Sequence, residues 1–89
     1  TICDGLLMPL SEFTFGIIRR HVKRILVVDD SAVVRAMRLL WERTKLVVEA
    51  NSAVALAAVL ESPELFAGRR VGVILSGGNV DLDRLPWQR

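Results

Sequence analysis

Apolar residues along the 89-residue chain follow two rhythms, and helical spacing governs the first. Ser11 is a good N-cap ahead of EFTFGIIRRHV (12–22), where Phe13 and Ile17 lie one turn apart and Leu10 with Phe15 fits a hydrophobic staple. Gly16 weakens the middle of that helix by about 1 kcal/mol relative to alanine. Asp29, Asp30 and Ser31 supply caps for a second helix through about Thr44. Val33, Met37 and Leu40 form its apolar stripe, while Arg35, Arg38 and Glu42 face water. From about Asn51 or Ser52 to Glu61, SAVALAAVLE is apolar on every face, which predicts a buried helix whose alanines permit close packing. Pro63 ends it.

The second rhythm is the short unbroken apolar run. RILVV (24–28) and VGVIL (71–75) read as strands, and LVVEA (46–50) reads equally as a strand or as the lead into a helix. Runs without alternation suit parallel strands covered on both faces. TICDGLLMP (1–9) is expected as loop or short strand, ELFAGRR (64–70) as loop, and DLDRLPWQR (81–89) as one helical turn before Pro86. There is no repeat, low-complexity tract or internal boundary, so residues 1–89 read as a single partial domain. The predicted fold class is α/β: a small partial layer of parallel strands flanked by helices.

Composition sharpens this picture. A chain this short that is 52% hydrophobic, with a positive mean hydropathy of +0.39, should leave apolar surface uncovered. A homo-oligomer, or a missing remainder of the protein, is the expected cover. The chain opens on Thr1 with no signal-peptide pattern, which reads as a processed or partial product. Charges break every apolar stretch short of the ~20 residues a membrane span needs, so no membrane partner is expected. The single Cys3 cannot form an internal disulfide, and a reducing cytoplasm is the default. Net charge is only +2, and RRHVKR (19–24) reads as a basic helix end. Without aromatic interleaving or zinc spacing, nucleic acid is not an expected partner. His21 has no ligand-spaced companion, and no metal site is expected. Trp41 and Trp87 read as packing residues, and Cys3 as a small buried apolar residue.

Two families resemble parts of the chain. RILVVDDSAVVRAM (24–37) is similar to the opening of a response-regulator receiver domain, in which Asp29 and Asp30 would hold Mg²⁺. The position of that family's phosphoacceptor then falls on Ser76, and a neutral serine cannot form an acyl phosphate. The competing role for the two aspartates is a helix N-cap. The second resemblance runs through TICDGL, FTFGIIRRHV, AMRLLWERTKLVVE, AVALAAVL and VGVILSGGNVDL in one order. Together these resemble the C-terminal segment of the serine/threonine dehydratases and serine racemases, enzymes of the tryptophan-synthase-β-like (fold type II) pyridoxal-phosphate class.

That resemblance implies that Ser76 faces the pyridine nitrogen of the cofactor. A hydroxyl can donate to a neutral ring nitrogen without fully protonating it, which suits elimination of a β-hydroxyl over transamination. Gly77 and Gly78 would let the backbone approach the ring edge, and Asn79 would brace the turn. Glu49 matches a glutamate near the ring, although EANSA (49–53) replaces the usual Glu-Pro-Ser-Gly-Ala and makes a helix N-terminal role equally suitable. Gly16 stands where the family commonly has proline, and Cys3 where alanine is usual. The family also needs a Schiff-base lysine in a Ser-x-Lys setting and a glycine-rich phosphate loop. Lys23 and Lys45 are the only lysines, neither in that setting, and Gly77-Gly78 is the only glycine pair. The expectation is a fragment of a pyridoxal-phosphate-dependent serine/threonine dehydratase (ammonia-lyase), with no catalytic residue of its own. It would bind no cofactor alone, and its partner would be an N-terminal dehydratase portion or another copy. The alternative is a non-catalytic self-associating module or a degenerate receiver-like domain.

Overall fold

The computed structural model describes residues 2–3 and 10–88. The expectation for residues 4–9 lies outside them. Helix α1 spans Glu12–His21, α2 Asp30–Thr44, α3 Ala50–Glu61 and α4 Pro63–Phe66. Local chemistry sets the starts of α1 and α2. The Thr14 N–H donates to the Ser11 hydroxyl at 3.1 Å. Asp29 Oδ1 accepts from the Ala32 N–H and from the Ser31 hydroxyl, each at 2.8 Å. Arg19, Arg20 and His21 fall in the last turn of α1, where cations suit the dipole. Helix α2 stops at Lys45, whose φ of 62° is left-handed and whose N–H donates to the Trp41 carbonyl at 3.2 Å.

The core is the seam between α2 and α3. Ala32, Val33, Ala36, Met37 and Leu40 are buried on α2, against Ala53 and Ala57 of α3, with Val48 and Cys3 completing the cluster. The predicted stripe of Val33, Met37 and Leu40 is therefore the buried face. At Ala36, Ala53 and Ala57 only methyl groups stand between the two helices, which permits close approach there. The chain ends fold back onto this seam. The Ile2 N–H donates to Asp30 Oδ2 at 3.1 Å. Trp41 donates through Nε1 to the Val48 carbonyl at 2.9 Å and meets Trp87 edge to face, with ring centroids 5.2 Å apart.

Four expectations need correction. Helix α3 is not buried on every face: Ala55 and Leu60 are exposed, because only one neighbouring helix of comparable length covers it. The stretch expected as loop after Pro63 opens with a helical turn, α4, for which proline is pre-organised at the first position. The tail forms hydrogen-bonded turns, Arg84 N–H to the Asp81 carbonyl and Gln88 N–H to the Leu85 carbonyl, in place of a helical turn. Most consequentially, the described residues contain no strand, so no parallel layer is seen among them. Residues 25–28 keep a period of two, with Ile25 and Val27 exposed and Leu26 and Val28 half-buried, but they have no ladder. A strand exists through its neighbours' hydrogen bonds, and here the facing segments 46–49 and 76–79 exchange a single one, from the Glu49 N–H to the Gly77 carbonyl at 3.3 Å. No helix among the described residues is long and apolar enough to cross a membrane.

Candidate functional site

The Ser76-Gly77-Gly78-Asn79 turn sits on the N-terminal end of α3. Three contacts hold it there from behind. The Glu49 N–H donates to the Gly77 carbonyl at 3.3 Å. Ser52, in the first turn of α3, donates its hydroxyl to the Ser76 carbonyl and lies 3.1 Å from the Gly77 carbonyl. The backbone of Gly78 passes so close to the Val47 carbonyl that a Cβ there would lie 2.7 Å from its oxygen. Gly77 has φ +93°, the left-handed region glycine tolerates, and a Cβ on it would overlap Glu49 Oε1 and lie 3.0 Å from Glu49 Cδ.

Glu49 is the N-cap residue of α3 but makes no side-chain cap bond. Its carboxylate lies against Gly77, with Oε2 accepting from Asn51 Nδ2 at 2.9 Å. The loss of proline and glycine in EANSA has therefore not turned Glu49 away from the turn. Ser76 is exposed, and its hydroxyl bonds to no other described residue, whereas its carbonyl is engaged. Glu49 and Asn79 share a cleft of about 140 Å³ with Asp81 and Arg84, below the ~300 Å³ at which pockets usually enclose a small molecule. Ser76, Gly77 and Gly78 stand outside it. The structure thus brings Glu49 together with the whole turn, while only Glu49 and Asn79 border the cleft.

The other candidates lie elsewhere. Asp29 caps α2, and the Ala32 amide and the Ser31 hydroxyl, with a lesser pull from Arg35, hold its carboxyl below the usual carboxylate value against an opposing effect of desolvation. Asp30 receives the Ile2 amide. No group of three potential ligands gathers among the described residues. The Lys45 ammonium donates to the Glu42 carbonyl at 2.7 Å. Lys23 borders a different cleft, beside Arg24, Phe66 and Arg69. Sequence reasoning misses Ser52: the sequence shows a hydroxyl in the first turn of a mostly apolar helix, but not the turn it reaches.

Residues 1–77, which include Glu49, Ser52, Ser76 and Gly77, match the pyridoxal-phosphate dependent enzyme family. The chain belongs to this family. It is 52% identical to the beta-hydroxyaspartate dehydratase of Paracoccus denitrificans over 87 residues, 98% of this chain and 28% of that protein. The solved serine racemase of Dictyostelium discoideum superposes with a TM-score of 0.84 at 43% identity, covering 92% of this chain and 28% of the racemase chain. A pyridoxal 5'-phosphate-dependent aspartate racemase superposes with a TM-score of 0.88 at 38% identity, covering 99% of this chain and 29% of that one. The chain thus spans little more than a quarter of the length of these relatives.

Proposed function

We propose that the chain is a segment of a pyridoxal-phosphate-dependent dehydratase of β-hydroxy amino acids such as serine, threonine or 3-hydroxyaspartate. It would form the wall against the cofactor's pyridine ring in a reducing cytoplasm. One observation carries this reading: Ser76 presents a hydroxyl with no partner among the described residues, on a turn whose backbone is fastened from behind. A hydroxyl left unpaired on a held turn suits a heterocyclic nitrogen. The neighbouring glycines leave no side chain to crowd the ring edge.

When bound, the cofactor supplies the electron sink that labilises the substrate's α-hydrogen and β-hydroxyl. The protein's part here is to hold a proton at Ser76 Oγ, within reach of a ring nitrogen it does not fully protonate. Gly77 and Gly78 set the approach, Asn79 flanks the rim, and Glu49 with Ser52 keeps the turn seated. Nothing in this segment is suited to bond the cofactor's aldehyde or cradle its phosphate. Lys45 is committed to a helix-end carbonyl, and the exposed Lys23 lines another cleft. The segment therefore needs the complementary dehydratase portion for cofactor chemistry; further copies of itself could cover its apolar surface but could not supply these groups.

Adding pyridoxal phosphate to the isolated chain should give no absorbance band of lysine-bound cofactor and no ammonia from serine, threonine or hydroxyaspartate. Supplying the N-terminal portion of a homologous dehydratase should restore both. Ammonia release by the isolated chain, or failure of the mixture to load cofactor, would overturn the proposal.

A further inference from the structure

We infer that Ser52 is the positioning residue of this site: it fixes where the Ser76 hydroxyl stands. The inference rests on the proposed cofactor wall and deepens it. Ser52 is 4% exposed, and its hydroxyl is the only side-chain donor among the described residues that reaches the carbonyls of Ser76 and Gly77. A hydroxyl buried in an apolar helix is costly unless it is hydrogen-bonded, so its contact with these two carbonyls is strongly favoured. The anchor is itself rigid. Ser52 lies in the first turn of α3, where its own N–H donates to the Glu49 carbonyl at 3.1 Å, and Ala53 beside it is fully buried in the seam with α2.

The turn has little else to hold it. The Glu49 amide supplies one further hydrogen bond, no ladder continues on either side, and EANSA carries no proline or glycine to set the backbone. Drawing the carbonyls of residues 76 and 77 inward leaves the Ser76 side chain on the solvent side, where a ring would lie. Ser52 touches neither ring nor substrate. It acts through the two carbonyls, and a shift of the turn by a fraction of an ångström changes the hydrogen bond at Ser76 Oγ.

The test uses two readouts that fail separately. In the isolated chain, S52A should move the carbonyl ¹³C resonances of Ser76 and Gly77 and speed hydrogen exchange at the Glu49 amide by about tenfold, the loss of one buried hydrogen bond. S52T, which keeps a hydroxyl, should restore both, and S76A should leave the exchange of the Glu49 amide unchanged. If S52A loses its helical signal, S52C takes its place, since a thiol fills similar space but donates weakly. In the complex with the complementary dehydratase portion, S52A should shift the pH at which the bound cofactor's absorbance changes, in the same direction as S76A, and S52T should not. Unchanged resonances and exchange in S52A would overturn the inference, as would a cofactor pH profile that moves in S76A but not in S52A. A complex that loads no cofactor would defeat the proposed function, while the carbonyl resonances would still decide whether Ser52 holds the turn.

Discussion

Gly77 and Gly78 look interchangeable in sequence, yet the two positions make different demands. Gly77 has φ +93°, and the atom its Cβ would meet is the mobile end of the Glu49 side chain. Glu49 can swing aside, so the penalty of G77A is mainly backbone strain, about 1–3 kcal/mol in urea unfolding. Gly78 has no left-handed φ, but its Cβ would meet the Val47 carbonyl, which cannot swing. G78A should therefore push the turn off the 47–49 segment and raise exchange at the Glu49 amide. Asp29 makes a pH-dependent contribution. Its folded-state carboxyl titrates lower than in the unfolded chain, chiefly through the Ala32 amide bond. The stability it adds is full above its unfolded value near ~4 and is lost as pH falls through the lower folded value. Asparagine caps about as well as aspartate but does not titrate. D29N should thus keep the thermal midpoint near neutrality and flatten its fall below pH ~4.

At the scale of elements, burial decides what each helix is worth. M37A removes a side chain 2% exposed at the centre of the α2–α3 seam, and it should cost about 2–5 kcal/mol in chemical denaturation. S11A removes the cap of α1, a helix with no buried residue. It should lower the local stability of α1 by about 1 kcal/mol in hydrogen exchange and leave the global transition in place. The helices were legible because their determinants are local: Ser11 and Asp29 cap as their sequence context implies, and Val33, Met37 and Leu40 share a face. The family resemblance points to the glycine turn and to Glu49 separately, and the structure places the Glu49 side chain against Gly77. The strands were not, because an apolar run specifies a candidate strand but not its partner. Nor was Ser52 legible, since its role depends on a turn 24 residues away that sequence spacing alone does not place beside it.

The whole molecule has more surface than its mass warrants. It exposes 7241 Å², against roughly 5200 Å² for a folded monomer of this size. Its radius of gyration is 14.2 Å, where about 12 Å is usual for this length. The excess is apolar and placed: Val27 is 93% exposed, Ile74 84% and Phe13 80%. Among the described residues, α1 packs on no other helix. Val27 and Ile74 lie on the two runs predicted as buried strands, so what the sequence pattern prepares for burial is what the structure leaves open. Alone at micromolar concentration, the chain should therefore scatter light as a species heavier than 9.9 kDa. V27K or I74K should shift it towards monomer without altering the helical signal, because neither side chain belongs to the α2–α3 seam. If the complementary dehydratase portion is the natural cover, adding it should dissolve the self-association and form a mixed complex, and the two lysine variants should weaken that complex as well. A wild-type chain that stays monodisperse and monomeric would show that these apolar residues need no cover.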